Sequence, residues 1–249
     1  MYRSPTHLWL LPDLGTDSRL LAPQITYFSD VALPPSADYK TCATVADYAV
    51  RTADRWLSEK SSETPTNKSF FIGGIGFGGI LALELARELA SRSICPAGVL
   101  LVGSVRSKAN IPSSLRLTLS LLGCLPVAMG RWRLTSMFQK IASSETMNPN
   151  QTRLLQEMAR EADWPLVRWQ SQAMIGWNRN RAEFEASGFP IFQLHGRGDR
   201  RFRVPSAEDA TLLIHGKQLI NLSLAAEVNR WIESILRDHD LRKSQNQPT

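Results

Sequence analysis

Residues 70–84 constrain this chain more than any other segment, because five glycines fall within seven of its positions. A short apolar run over 69–72 precedes these glycines and is typical of a strand buried on both faces. The residues that follow, 79–90, are apolar on nearly every side and are interrupted only by Glu84, Arg87 and Glu88. A helix with that pattern is buried. The segment therefore predicts a strand, a very tight turn and a helix packed against the centre of a sheet.

Two kinds of functional site use this layout. In the nucleophile elbow, G-x-S-x-G, a strained turn exposes a nucleophile above the start of a helix. In the dinucleotide fingerprint, G-x-G-x-x-G, the glycines let the backbone approach a pyrophosphate. Gly74, Gly76 and Gly79 satisfy the fingerprint literally, whereas the elbow is matched only in its glycines because Gly76 stands where serine would be. The turn alone leaves both interpretations open.

The remaining sequence alternates short apolar runs with helical patterns, which is typical of a parallel α/β sheet. Helices are predicted over 44–60, 79–90 and 224–236, and a polar loop over 59–67. Between 105 and 187 the alternation gives way to helical patterns interrupted by proline and glycine, which indicates an inserted helical cap within the same domain. Six strands are predicted, at 7–11, 25–28, 69–72, 98–102, 191–195 and 211–215.

Composition excludes several classes of protein. The 249 residues are 43% hydrophobic and 21% charged, as in a globular domain rather than a disordered chain. No transmembrane run, secretory signal or basic nucleic-acid arm is evident, so we expect neither a membrane span nor a nucleic-acid partner. The net charge of +6 is compatible with acidic ligands. Cys42, Cys95 and Cys124 are widely spaced, so we expect no metal site and a cytoplasmic location.

Segments downstream of the glycine turn extend the elbow pattern. Residues 192–199 read Phe-Gln-Leu-His-Gly-Arg-Gly-Asp, residues 213–222 form a second loop, and a closing helix follows. In this order the chain resembles the α/β-hydrolase superfamily, in its small capped branch of esterase-like and lipase-like proteins, over 7–105 and 188–236. The resemblance implies one domain with a mostly parallel sheet of about six strands flanked by helices. Its core would be 1–104 and 188–249, and its cap 105–187.

Carrying the family's catalytic triad onto this chain exposes two losses. The resemblance places the nucleophile at Gly76, the acid at Asp199 and the histidine at Gln218. Glycine has no side chain to attack a carbonyl, and a glutamine amide cannot take up a proton near neutral pH. Glycine also relieves the strain of an elbow at no steric cost. We therefore predict that Gly76 and Gln218 are non-functional and that serine-hydrolase chemistry is lost.

The resemblance also locates the oxyanion hole. Its backbone donors would be Leu14 and Phe77, and the family's His-Gly is replaced by Pro12-Asp13, which brings an acid close to the site. Without a histidine, we expect Asp199 to pair with a neighbouring arginine. The residues predicted to bind a ligand, from a basic rim and an aromatic-lined cavity, are Arg200, Arg201, Trp132 and Trp169.

The leading hypothesis is a pseudo-hydrolase that binds a small ligand, with an anion as one option, or a protein partner through its cap. No cofactor is expected. One alternative is an active enzyme that uses Asp199 and a bound water in a non-standard mechanism. A second is an NADP-binding oxidoreductase that uses Gly74, Gly76 and Gly79, with the basic run 104–108 near the 2′-phosphate. A third is a pure interaction protein.

Overall fold

A computed structural model describes residues 6–59, 69–145 and 147–245. Its centre is one six-stranded sheet in which every paired strand is parallel. The strands lie in the order β2-β1-β3-β4-β5-β6 across the sheet. Their bounds are β1 His7–Leu11, β2 Val31–Ala32, β3 Phe70–Ile75, β4 Gly98–Val102, β5 Ile191–Gly196 and β6 Thr211–Leu213.

Helices cover both faces of the sheet. Side chains alternate along β1, so that Leu8 and Leu10 join one hydrophobic cluster while Trp9 and Leu11 join the other. The α-helices are α1 Ala22–Tyr27, α2 Val45–Glu59, α3 Phe77–Ser91, α4 Ser113–Cys124, α5 Val127–Ser144, α6 Pro149–Glu161, α7 Trp164–Gly176, α8 Arg181–Glu185, α9 Ile220–Ser223 and α10 Ala225–Gln245. The predicted doubly covered parallel sheet of six strands is confirmed.

One predicted strand is wrong. Residues 25–28 do not form a strand, because most of them belong to α1, which has Pro23 in its first turn and buries Gln24 against α9. Proline in the first turn favours a helix start. The edge strand is instead the two-residue β2, too short to give an alternating pattern. Strand β6 also ends early, at a turn in which Gly216 N–H donates to the Leu213 carbonyl at 3.1 Å.

Helices α4 to α8 follow β4 and precede β5, in the stretch where the sequence predicts a cap. The division of the chain into a core and a cap stays a prediction. The loop predicted over 59–67 lies almost entirely outside the described residues. Within the described ranges, no helix combines the length and apolar character that crossing a membrane requires.

Candidate functional site

The turn between β3 and α3 is built around Gly76, whose backbone has φ +54° and ψ −117°. Residues that carry a side chain rarely adopt that backbone conformation, whereas glycine adopts it without strain. The neighbouring glycines serve close packing: a Cβ on Gly74 would lie 2.1 Å from the carbonyl carbon of Gly78, and a Cβ on Gly78 would lie 2.3 Å from the Leu11 carbonyl oxygen. The turn thus lies so tightly against the end of β1 that only glycine fits at these two positions.

A carboxylate occupies the space in front of this turn. Oδ1 of Asp13 accepts hydrogen bonds from the backbone N–H of Leu14 at 2.8 Å and of Phe77 at 2.7 Å. These are the two amides that the sequence resemblance assigns to the oxyanion hole. A Cβ on Gly76 would lie 2.2 Å from the same Oδ1 atom. The Asp13 carboxylate therefore occupies both N–H donors and also fills the space that a nucleophile side chain at position 76 would take.

Arg201 holds this carboxylate from the other side. Its Nη1 pairs with Oδ2 of Asp13, and its Nη2 donates to the Gly103 carbonyl at 3.2 Å. The Asp13 side chain is 4% exposed and that of Arg201 is 17% exposed. Burial opposes the charge on Arg201, but attraction to Asp13 and Asp199 outweighs it and raises the pKa of the guanidinium above its usual value. The pair is a buried charge-assisted contact.

A cavity of about 300 Å³ opens beside the pair, between α4 and α5. Its charged lining residues are Asp13, Lys140, Arg200 and Arg201, and Gln218 also lines it. Most of the rest is apolar, and these lining residues include Leu115, Leu119, Leu134, Met137, Phe138 and Met174. The cavity therefore joins the glycine turn to an apolar space beneath the two helices.

The sequence matches no protein-family model and no curated protein. Several solved structures share the fold. An esterase from Thermogutta terrifontis aligns with a TM-score of 0.71 and 15% identity, over 94% of this chain and 90% of its own. The enol-lactonase from Burkholderia xenovorans LB400 gives 0.68 and 15%, over 94% and 92%. MenH from S. aureus gives 0.68 and 13%, over 95% of each chain.

The chain has the α/β-hydrolase fold. Every one of these alignments spans nearly the whole of both proteins, so the likeness includes the helices between β4 and β5. At 13–15% identity the comparisons show the fold alone. Activity must be argued from the side chains present at the site.

In this α/β-hydrolase fold, Asp199 lies in the loop after β5, but its carboxylate turns inward. Oδ1 accepts the backbone N–H of Arg201 at 2.7 Å and of Phe202 at 3.4 Å. Oδ2 lies 3.0 Å from Nε2 of His195, although the two atoms are not aligned for a hydrogen bond. The expectation that Asp199 pairs with an arginine side chain is wrong, because the guanidinium of Arg201 reaches Asp13 instead. Both His195 and Asp199 have fully buried side chains, so Asp199 does not face the cavity.

Gln218 lies on the loop that precedes α9 and lines the cavity. Glu145, at the end of α5, fixes that loop: Oε1 accepts the backbone N–H of Gln218 at 2.7 Å and of Leu219 at 2.6 Å. Its Oε2 accepts the Ser223 hydroxyl at 2.6 Å. One buried carboxylate thus joins the helix that covers the cavity to the loop that carries Gln218.

The two tryptophans predicted to bind a ligand lie elsewhere. Trp132 is 70% exposed on the outer side of α5. Trp169 donates its indole N–H to the Cys42 carbonyl at 2.8 Å and packs against Tyr39, Tyr48 and Phe77. Neither lines the cavity that holds Arg200 and Arg201.

Sequence reasoning did not foresee the pairing of Asp13 with Arg201. The sequence does show each residue separately. Asp13 is an acid where the family's oxyanion loop has His-Gly, and Arg201 belongs to the arginine cluster at 197–203. The sequence does not reveal that the two residues form an ion pair, because they are 188 positions apart. The signal was the chemical mismatch itself, since a carboxylate in a site built for an anion is favoured by a nearby cation.

Proposed function

We propose that this protein binds a small anion with an apolar body in the cavity beside Gly76 and does not hydrolyse esters. The observation that carries the proposal is the Asp13 carboxylate, which is held by the Leu14 and Phe77 amides and neutralised by Arg201. An internal anion already occupies the position in which an α/β-hydrolase would stabilise the anion of its transition state.

Three defects oppose acyl transfer. Gly76 supplies no nucleophile, and Gln218 supplies no base. Loss of the nucleophile and base in a serine hydrolase reduces kcat by about 10⁶. The remaining catalysis in such variants comes from the oxyanion hole and from binding, and here Asp13 fills the hole. A negative carboxylate would also repel a developing oxyanion. Hydrolysis by the usual route therefore lacks every group that it needs except the acid.

The cavity keeps the properties of a binding site. Its volume, about 300 Å³, is at the lower end of the range of about 300–1,000 Å³ for small-molecule sites. Leucine, methionine and phenylalanine side chains supply apolar walls, which favour an apolar ligand body. An apolar body alone would not explain the charged side chains that also line the cavity.

Two of the cations that line the cavity remain available. Arg201 is neutralised by Asp13, whereas Arg200 and Lys140 have no ion-pair partner among the described residues. Both are exposed at the cavity edge, where a carboxylate, sulfate or phosphate head could be held while its apolar body enters. Asp199 does not face this space, so the same observations give no support to a mechanism that uses Asp199 and a water.

Isothermal titration calorimetry with decanoate, decanol and acetate tests the proposal. We expect decanoate to bind most tightly, because only decanoate combines an anionic head with an apolar body. Arg200→Gln with Lys140→Gln should weaken decanoate binding about tenfold and leave decanol unchanged. Arg197→Gln is the matched control, since this exposed arginine lies on the same loop but does not line the cavity. Equal binding of decanoate by all variants, or no binding, would refute the proposal.

A further inference from the structure

Half of the exposed large hydrophobic side chains in the described part of the chain lie on two consecutive helices, α4 and α5. Ten large hydrophobic residues are exposed in the described part of the chain, and five of them lie within 117–132. We define the α4–α5 surface by these five side chains. They are Leu117, Leu121, Val127, Met129 and Trp132.

Core packing does not account for these side chains. The inward faces of the same helices already supply Leu119 and Leu122 from α4 and Leu134 and Phe138 from α5, all of them buried. Each helix is therefore apolar on two sides, one against the fold and one toward solvent. Scattered exposed hydrophobic residues need no explanation, but a contiguous group is typical of an interaction site.

The charged side chains of α4 and α5 themselves are all cationic. No aspartate or glutamate occurs between Glu88 and Glu145, and α4 and α5 carry Arg116, Arg131, Arg133 and Lys140. Arg133 and Lys140 make no ion pair within the described ranges, while Arg116 and Arg131 donate to backbone carbonyls. A second copy of this surface would bring like charges together, which disfavours self-association. An anionic partner would complement it.

We infer that the α4–α5 surface docks on an anionic lipid bilayer, with its five apolar side chains in the interface and the arginines of α4 and α5 against lipid phosphate and carboxylate groups. Apolar residues with tryptophan on one side, combined with cations and no acids, are typical of helices that lie in a membrane interface. Tryptophan favours this region because its ring is apolar and its N–H is polar. The inference does not depend on whether the neighbouring cavity holds a ligand.

Vesicle flotation of the full chain tests this inference. The probes are vesicles of phosphatidylcholine alone and of phosphatidylcholine with phosphatidylserine in about 7:3 proportion. We expect flotation with the mixed vesicles, little with phosphatidylcholine alone, and release in about 0.5 M salt. Trp132→Glu should weaken partitioning at least about tenfold, because it removes an inserted ring and adds repulsion. Arg133→Glu should weaken only the part that depends on phosphatidylserine.

Ile214→Glu is the matched control, because Ile214 is 69% exposed, compared with 70% for Trp132, but lies after β6. It should float like the wild-type protein, and all three variants should keep the wild-type melting temperature. Absence of flotation with mixed vesicles would overturn the inference, as would equal losses for Trp132→Glu and Ile214→Glu. So would a wild-type dimer that Trp132→Glu converts to a monomer, since a second copy would then be the occupant.

Discussion

Oδ1 of Asp13 lies 2.2 Å from the point where a side chain on Gly76 would begin. The two residues are 63 positions apart in sequence, and Asp13 reaches the turn because β1 and β3 are adjacent parallel strands. Loss of the nucleophile and filling of the oxyanion position are therefore one steric event. A side chain at position 76 and the Asp13 carboxylate in its observed position cannot both be accommodated, so one of them has to shift.

Gly76→Ser should destabilise the protein by about 2 kcal/mol or more and should produce no esterase. The cost combines a backbone conformation that side chains rarely adopt with the contact to Asp13. Urea unfolding measures it. The control is Gly123→Ala in α4, where a Cβ meets nothing within 4 Å, so this change should be neutral or stabilising by up to about 1 kcal/mol. Similar unfolding free energies for the two variants would contradict the steric argument.

Asp13→Ala should lower the free energy of unfolding by about 3–5 kcal/mol, since it leaves Arg201 buried without its partner. Adding Arg201→Met should recover part of this loss, because the uncompensated charge is then removed, and a double-mutant cycle measures that recovery. Glu161→Gln breaks a surface pair with Arg19 and should cost at most about 1 kcal/mol. Strictly additive losses for Asp13→Ala and Arg201→Met would mean that the buried pair contributes no coupling.

Glu145→Ala should cost about 3 kcal/mol and weaken decanoate binding, because the buried amides of Gln218 and Leu219 lose their acceptor. The loop at the cavity would then be held less firmly. Glu157→Ala, which removes an exposed contact to Arg153 on α6, is the control for stability and binding. Calorimetry that gives the same decanoate affinity for Glu145→Ala and for the wild type would exclude a positioning role for Glu145.

Restoring hydrolysis should require three changes rather than two. Gly76→Ser with Gln218→His supplies a nucleophile and a base, but it keeps a carboxylate at position 13, where the wild-type side chain accepts from the Leu14 and Phe77 amides. We expect this double variant to resist a fluorophosphonate probe, and addition of Asp13→Gly to permit labelling of the new serine. Peptide mapping by mass spectrometry locates the label. Equal labelling of the double and triple variants would show that Asp13 does not block the site.

Local patterns in the sequence predict most of the fold. Strands buried on both faces, such as β1 and β4, are continuous apolar runs, and their predicted bounds are the observed ones. The edge strand β2 cannot be predicted because its two residues are too few to show an alternating pattern. The segment 25–28 fits a strand as well as one turn of a helix, so its pattern does not distinguish α1 from a strand. Short segments remain ambiguous in this way.

At the site, the residues were predictable and their contacts were not. The elbow at Gly76 and the loops of Asp199 and Gln218 follow from spacing and resemblance. The Asp13–Arg201 pair depends on how two loops at the ends of β1 and β5 meet, which no local pattern encodes. The same holds for Asp199, whose carboxylate turns toward its own loop and His195.

Active-site titration of the wild-type protein with p-nitrophenyl butyrate tests the central claim most directly. The claim is that Asp13 occupies the oxyanion position beside a turn that has no nucleophile. It predicts no burst of p-nitrophenol and no turnover above a buffer control that contains heat-unfolded protein. A burst with about one equivalent of product per chain, or steady turnover at an ordinary enzymatic rate of about 1–10³ s⁻¹, would contradict it.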